Sequence, residues 1–88
     1  MRLNDYRDEV KEFLVNIKAL GKNQGKKVEW LQEELNLLKL AIERSDEKRI
    51  SHQIYDMMHL LFEMAAENNC DLDSEWLEGE KRKDKYIN

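Results

Sequence analysis

The amino-acid sequence predicts an all-α fold: a four-helix bundle in a single domain, residues 1–88, whose core is completed by self-association. The chain contains no proline and only three glycines, so few residues interrupt a helix. Charged residues of both signs are interspersed and make up 39% of the chain, which is typical of exposed helix faces. Apolar residues recur at spacings of three and four, the period of a helix with one buried face.

The first predicted helix covers residues 4–20, and its apolar stripe is narrow. Asn4 or Asp5 is expected to cap its start by accepting a backbone N–H group. Residues 21–27 contain two glycines and three lysines, and they are predicted to form a polar loop. The stripe consists of Leu3, Tyr6, Val10, Phe13, Ile17 and Leu20.

The second predicted helix covers residues 28–44 and carries two neighbouring apolar stripes. Glu34 falls within the second stripe, at the edge of the expected core. A carboxylate there is costly unless it is paired. We therefore expect Glu34 to have a basic or metallic partner. The first stripe is Val28, Leu31, Leu35, Leu38 and Ile42, and the second is Trp30, Leu37 and Ala41.

The third and fourth predicted helices are marked by residues that favour helix ends. Ser45 is expected to be the N-cap of the third helix. The pair Asn68-Asn69 is expected to end it, because asparagine tolerates the left-handed conformation. Asp73 is expected to cap a shorter fourth helix that reaches about Tyr86. The third helix has the widest apolar surface, consisting of Ile50, Ile54, Met57, Met58, Leu61, Phe62, Met64 and Ala65.

Self-association is predicted from the size of the chain and the width of these stripes. A chain of 88 residues buries only about 60% of its unfolded surface, which leaves little stability to spare. Small domains compensate with disulfides, a metal or oligomerisation, and the single cysteine, Cys70, excludes an intrachain disulfide. The expected partner is a second copy of the chain, in a dimer or a tetramer. A compact monomeric bundle is the alternative.

Charge and hydropathy exclude several classes of partner. The net charge of -4 argues against nucleic acid and against anionic membranes as partners. The longest mainly apolar stretch, residues 57–66, is too short to span a bilayer. Residues 1–12 are charged throughout, so no signal peptide is expected. Together with the single cysteine, this predicts a cytoplasmic location.

A sequence of motifs along residues 28–87 points to a family. Residues 33–42 read EELNLLKLAI, residues 53–62 read QIYDMMHLLF, residues 71–73 read DLD, and residues 80–86 read EKRKDKY. In this order the chain resembles the MazG-like all-α nucleoside triphosphate pyrophosphohydrolases. That family carries E-E-x-x-E on one helix and E-x-x-D on the next. An Asp-Leu pair follows, and then a last helix that ends in basic residues and an aromatic residue. The resemblance implies a four-helix MazG-like bundle.

The resemblance also implies a catalytic site and a metal. Glu33, Glu34 and Asp56 match acidic positions of the family motif, and Gln53 and Leu37 stand where it has glutamates. Carboxylate and amide oxygens suit Mg²⁺, with Mn²⁺ as an alternative. The implied ligands are Glu34, Gln53 and Asp56. The implied reaction converts a nucleoside triphosphate or its deoxy form to a monophosphate and pyrophosphate. With two acids missing, the activity is expected to be weak.

The basic end of the fourth helix matches the family's phosphate contacts. The resemblance implies that Lys81, Lys85 and Tyr86 contact the nucleotide or its phosphates. The alternative is a solvated helix end whose positive charges complement the helix dipole. Trp30 and Trp76 could stack on a base, but their helical spacing beside apolar residues favours packing in the core.

Three functions remain open at this point. The first is the weak pyrophosphohydrolase, and the second is a catalytically inactive MazG-like homo-oligomer that binds a nucleotide or a protein. The third is a helical interaction module that shares only the fold. A polar row on the third helix, with spacings of four, three and four, adds a further alternative: a transition-metal site instead of a solvated face. That row is His52, Asp56, His59 and Glu63.

Overall fold

A computed structural model of the protein describes residues 2–87 and consists of four α-helices. They are α1 (Leu3–Asn16), α2 (Gln24–Glu43), α3 (Glu47–Glu67) and α4 (Leu72–Ile87). No strand occurs in this described part of the chain. The predicted all-α fold is therefore confirmed, although several helix ends differ from the prediction.

Helix α3 is the centre of the fold, because α1 and α2 both pack against it, while α4 packs against α1. The radius of gyration is 15.1 Å, whereas a compact domain of this length has about 12 Å. The bundle is therefore open. The buried apolar residues are few, and most of them are small: Val10, Leu14, Ala41, Leu60, Ala65 and Ala66.

Many large apolar side chains remain exposed in the single chain. Trp76, which the sequence predicts to be a core residue, is 59% exposed, and its indole Nε1 donates a hydrogen bond to Glu80. Trp30 is also exposed. Both positions therefore differ from the prediction, because the open bundle has no further layer to cover them.

Three helices end in the same backbone arrangement, the Schellman motif. In α1 the Ala19 N–H donates to the Leu14 carbonyl, and Lys18 adopts a left-handed conformation with φ of 58°. This motif ends α1 at Asn16, so the prediction that the helix reaches Leu20 was wrong. Asn69, with φ of 54°, ends α3 in the same way, as the sequence predicts.

Ser45 belongs to the end of α2 and not to the start of α3. It adopts φ of 52° and its N–H donates to the Ile42 carbonyl. The N-cap of α3 is the next residue, Asp46, whose carboxylate accepts the Arg49 N–H at 3.1 Å. The predicted cap was therefore displaced by one residue, because Ser45 is needed to close the preceding Schellman motif.

The start of α2 shows the largest difference from the prediction. The helix begins at Gln24, so Gly25, Lys26 and Lys27 are helical, whereas the sequence predicts a loop at residues 21–27. Lys27 is also one of the most buried residues of the chain, at 2% exposure. A contact between Lys27 and α3, distant in sequence, accounts for the extension of the helix through this lysine-rich segment.

Helices α1 and α4 cap each other at their N-termini. The Asp73 carboxylate accepts the Leu3 N–H at 2.9 Å and the Asn4 N–H at 3.4 Å. In return, the Asn4 side-chain oxygen accepts the Leu72 N–H at 2.8 Å. The prediction that Asp73 caps its own helix was therefore wrong. Asp71 takes that place by accepting the Ser74 N–H at 3.1 Å.

No helix in the described part of the chain combines the length and the apolar character needed to cross a membrane.

Candidate functional site

The seam between α2 and α3 brings two of the predicted site residues into contact. Gln53 is 2% exposed, and its side-chain Nε2 donates a hydrogen bond to Glu34 Oε2. Within the chain, the partner of Glu34 is therefore a neutral amide, and not the basic side chain that was one of the two partners expected from the sequence. A neutral donor satisfies a carboxylate oxygen at the edge of the core without adding a charge.

Asp56 follows Gln53 by about one helical turn, and a different neighbour pairs with its carboxylate. His52 Nε2 lies 3.2 Å from Asp56 Oδ2, and the Asp56 side chain is partly exposed. Glu34 and Asp56 thus have separate partners. Because Gln53 and Asp56 are three apart on α3, both belong to one side of that helix. The carboxylate of Asp56 is open to solvent on this side.

The two remaining positions of the acidic motif lie outside the seam. Glu33 is exposed and forms no hydrogen bond or ion pair with another described residue. Leu37, which stands where the family motif has a glutamate, is also exposed. Its apolar side chain supplies no ligand atom.

The polar contacts of the predicted phosphate-binding residues stay within α4. Lys81 Nζ lies 3.3 Å from Glu78 Oε1, and Lys85 Nζ lies 5.0 Å from the centre of the Tyr86 ring. All three predicted residues are exposed. Since α4 packs against α1, a single chain does not bring them into contact with Glu34 or Gln53.

Glu34, Gln53 and Asp56 carry the oxygen atoms that Mg²⁺ prefers, but in the described part of the chain they do not belong to a cluster of three acidic or imidazole ligands. Over residues 2–87, no three His, Cys, Asp or Glu side chains converge so that they could hold a metal ion. The polar row on α3 divides into two pairs, His52 with Asp56 and His59 with Glu63. Two carboxylates and one amide oxygen nevertheless suit Mg²⁺ when substrate phosphates supply the other ligands.

An ionic cluster at the other end of the seam was missed by the sequence interpretation. Lys27 Nζ lies 2.7 Å from Glu67 Oε1 and 3.0 Å from Glu63 Oε1. The second oxygen of Glu67 accepts the Gly21 N–H at 2.7 Å, and that of Glu63 lies 2.9 Å from His59 Nδ1. The cluster therefore ties the loop before α2 to the C-terminal half of α3.

Burial is the largest single influence on the pKa of Lys27, and it disfavours the charged form. Hydrogen bonds and charge attraction from Glu67 and Glu63 outweigh burial, so the pKa of Lys27 lies above its ordinary value. A spacing in the sequence could have indicated this site. Lys27, Glu34 and Ala41 are seven apart, which continues the seam of α2 backwards into the predicted loop.

The same seam defines an exposed apolar surface. The seam residues of α3 are also seven apart, at Gln53, Leu60 and Glu67. At five of the six seam positions on the two helices, the next residue in the sequence is apolar. Each residue is rotated by about 100° from the one before it. In antiparallel helices these following residues lie on the same side of the pair. This α2–α3 apolar face consists of Val28, Leu35, Ile42, Ile54 and Leu61, all exposed.

Comparisons with known proteins do not assign the chain to a family. No protein-family model, no curated protein and no solved structure matches it. The motifs of α2 and α3 and the contacts between these helices therefore carry the functional interpretation.

Proposed function

We propose that the protein is a MazG-like homo-oligomer that slowly hydrolyses nucleoside triphosphates to monophosphate and pyrophosphate. The observation that supports this proposal is the contact between Glu34 and Gln53. These are two positions at which the resembled family has acids on facing helices. In this chain they meet across the α2–α3 seam, as a shared site requires.

The incomplete acid set accounts for the slow reaction in this proposal. Mg²⁺ neutralises phosphate charge that grows in the transition state and orients the attacking water. Glu34 and Asp56 would hold the cation together with the substrate phosphates. Gln53 would offer its side-chain oxygen after its amide group rotates by about 180°. Fewer negative ligands mean weaker metal binding without substrate. Mn²⁺ is expected to substitute for Mg²⁺.

Self-association is the second part of the proposal, and the α2–α3 apolar face supports it. Leu35 and Ile54 are 53% and 44% exposed, although leucine and isoleucine favour burial. A second copy would cover this face with the same face of its own, since two-fold symmetry makes a surface self-complementary. The assembly is a dimer, or a tetramer built from two dimers.

The basic end of α4 completes the proposal. Within their own chain, the residues Lys81, Lys85 and Tyr86 do not approach Glu34. In the proposed oligomer, α4 of a neighbouring copy would lie close to Glu34 instead. A lysine pair four residues apart lies on one helix face and would contact a phosphate group held at the neighbouring copy's acids. In this arrangement the phosphate contacts require the oligomer.

The test is a measurement of pyrophosphate release from a panel of canonical and modified nucleoside triphosphates, with Mg²⁺ or Mn²⁺. Glu34→Ala is expected to abolish the release. Glu29→Ala removes a glutamate from the exposed surface of the same helix and serves as the matched control. Release by the wild-type protein that equals release by Glu34→Ala contradicts the hydrolase proposal.

A second candidate function is supported by the chemistry of the Glu34–Gln53 bond. The amide N–H donates to one oxygen of the Glu34 carboxylate, and this contact does not need a cation. This favours a catalytically inactive homo-oligomer that binds a nucleotide or a protein. This candidate would be supported over the first if a nucleotide raises the melting temperature without being hydrolysed, and by the same amount with and without Mg²⁺.

A further inference from the structure

A groove lies between α1 and α3, separate from the seam that carries Glu34 and Gln53. Its cavity volume is about 450 Å³, within the range of about 300–1,000 Å³ typical of small-molecule sites. We call it the aromatic groove. Its lining includes Tyr6, Glu9, Tyr55, Met58, His59 and Phe62.

Four of its lining residues have aromatic rings. The rings of Tyr6 and Phe62 face each other across the two helices, with centres 6.1 Å apart and planes tilted by 35°. Tyr55 and His59 form a second pair on α3, also 6.1 Å apart. Tyr6 and Tyr55 are exposed, so a small ligand can reach both side chains. The negative face of an aromatic ring attracts a cation.

The polar groups of the aromatic groove also favour a cation. Glu9 lines it with an exposed carboxylate that forms no ion pair with another residue in the described chain. His59 Nδ1 lies 2.9 Å from the Glu63 carboxylate. The carboxylate accepts this hydrogen bond, so Nδ1 carries the hydrogen. The Glu9 carboxylate attracts a cation and repels an anion.

We propose that the aromatic groove binds a small organic ammonium ion with an apolar or aromatic body. The body would lie among Tyr6, Met58 and Phe62, and the ammonium group would lie near Glu9 and the ring face of Tyr55. A nucleoside triphosphate is anionic and has the wrong charge for this groove. The inference is therefore independent of the hydrolase proposal, and either can fail without the other.

The test uses 2-phenylethylammonium as the probe, with 2-phenylethanol and 3-phenylpropanoate as neutral and anionic analogues of similar shape. Binding is followed by amide chemical shifts in ¹H–¹⁵N NMR titrations of the full chain. Saturable shifts are expected around Tyr6 and Glu9 on α1 and around Tyr55 and Phe62 on α3. The alcohol should bind at least about fivefold more weakly, because it lacks the charge-assisted contact. The anion should not bind.

Two variants locate the ammonium group. Glu9→Gln is expected to weaken binding of 2-phenylethylammonium about fivefold, to the level of the alcohol. Glu12→Gln makes the same change at an exposed position of α1 outside the groove and should have no effect. Tyr55→Ala removes an exposed ring and should weaken binding of the ammonium ion more than binding of the alcohol. Circular dichroism verifies that each variant is folded.

Three results would overturn the proposal. One is equal binding of the alcohol and the ammonium ion, which would make the groove an unselective apolar surface. Another is unchanged affinity in Glu9→Gln. The third is an affinity for 2-phenylethylammonium that falls as protein concentration rises, because a second copy of the chain would then be filling the aromatic groove.

Discussion

Lys27 Nζ lies 2.7 Å from Glu67 Oε1, and this contact joins the first turn of α2 to the last turn of α3. The Lys27 side chain is only 3% exposed, and that of Glu67 is fully buried. A buried charge is tolerated only when it is paired and hydrogen-bonded. The remaining carboxylate oxygens of the cluster have their own partners, in Gly21 and His59.

Replacing Lys27 by Met is expected to be strongly destabilising. The methionine fills similar space, but it leaves Glu63 and Glu67 buried without a cation. Breaking a buried ion pair in this way costs about 3–5 kcal/mol. Urea unfolding followed by circular dichroism measures the loss. Lys26→Met, at the exposed neighbouring position, should change the free energy of unfolding little, and equal losses in the two variants would contradict a structural role for the cluster.

The raised pKa of Lys27 determines how the stabilisation by its ion pairs depends on pH. A group whose pKa is higher in the folded than in the unfolded state stabilises fully below the unfolded value. The ordinary value is 10.5, so the stabilisation is present at neutral pH. It is lost only as pH rises through the higher folded value. The difference in unfolding free energy between the wild type and Lys27→Met should therefore narrow only in alkaline solution above 10.5.

Removing the Asn4 side chain is expected to uncouple α1 from α4. Its amide donates to Asp71 Oδ1 at 2.9 Å, and its oxygen accepts the Leu72 N–H. Loss of such a capping contact costs about 1 kcal/mol. Chemical denaturation of Asn4→Ala measures this cost. Asn36→Ala, at an exposed position in the middle of α2, is the matched control and should not destabilise.

The same substitution should shift the titration of Asp71. The hydrogen bond from Asn4 is the largest cause of the lowered pKa of Asp71, followed by the Ser74 N–H. A lowered pKa stabilises the folded state above the ordinary value of 3.8, and this effect is lost as pH falls through the lower folded value. In Asn4→Ala the pKa of Asp71, measured by carboxyl ¹³C NMR, should rise towards 3.8. An unchanged value would contradict the cross-capping.

Charge placed on the α2–α3 apolar face is expected to produce a monomer. Leu35→Glu or Leu61→Glu would bury a carboxylate in the proposed interface, which is unfavourable without a partner. Sedimentation equilibrium should give a multiple of 10.6 kDa for the wild type and 10.6 kDa for the variants. Leu40→Glu adds the same charge to an exposed position of α2 outside this face. A monomeric wild type, or dissociation by Leu40→Glu as well, would contradict the proposed interface.

Helix number and type follow from the sequence because apolar period and helix-stop residues are local signals. Asn69 illustrates this, since its left-handed conformation at the end of α3 is a property of its own backbone. The start of α2 is different. The glycines and lysines around Lys27 favour a loop, and only its spacing of seven from Glu34 indicates a buried position. Its partners, Glu63 and Glu67, are about forty residues away. Contacts between elements decided this boundary.

The candidate site shows the same division between local and distant information. The motif positions Glu34 and Gln53 are identified from the sequence, and the seam brings them together. The direct amide-to-carboxylate bond was not predicted, because it depends on how closely α2 approaches α3. The prediction that Asp73 caps α4 failed for a similar reason. A capping side chain can be recognised from sequence, but the helix that it caps is chosen by the packing of α1 on α4.

Restoring the missing acids is expected to increase pyrophosphohydrolase activity. Gln53→Glu replaces the amide that donates to Glu34 with a second carboxylate, and the repulsion between the two would favour a bound cation. Leu37→Glu adds the remaining acid of the resembled motif at an exposed position. Pyrophosphate release by the double variant with Mg²⁺ should exceed that of the wild type by at least about tenfold, which corresponds to roughly 1.4 kcal/mol in the barrier.

Without Mg²⁺, the Gln53→Glu change should lower the melting temperature, and added Mg²⁺ should recover it. The pair Gln53→Glu with Asn36→Glu adds equal charge but places one acid at an exposed position on the side of α2 opposite Glu34, and it should remain as slow as the wild type. If the double variant is folded and binds Mg²⁺ but releases no pyrophosphate, Glu34 and Asp56 do not belong to a hydrolytic site.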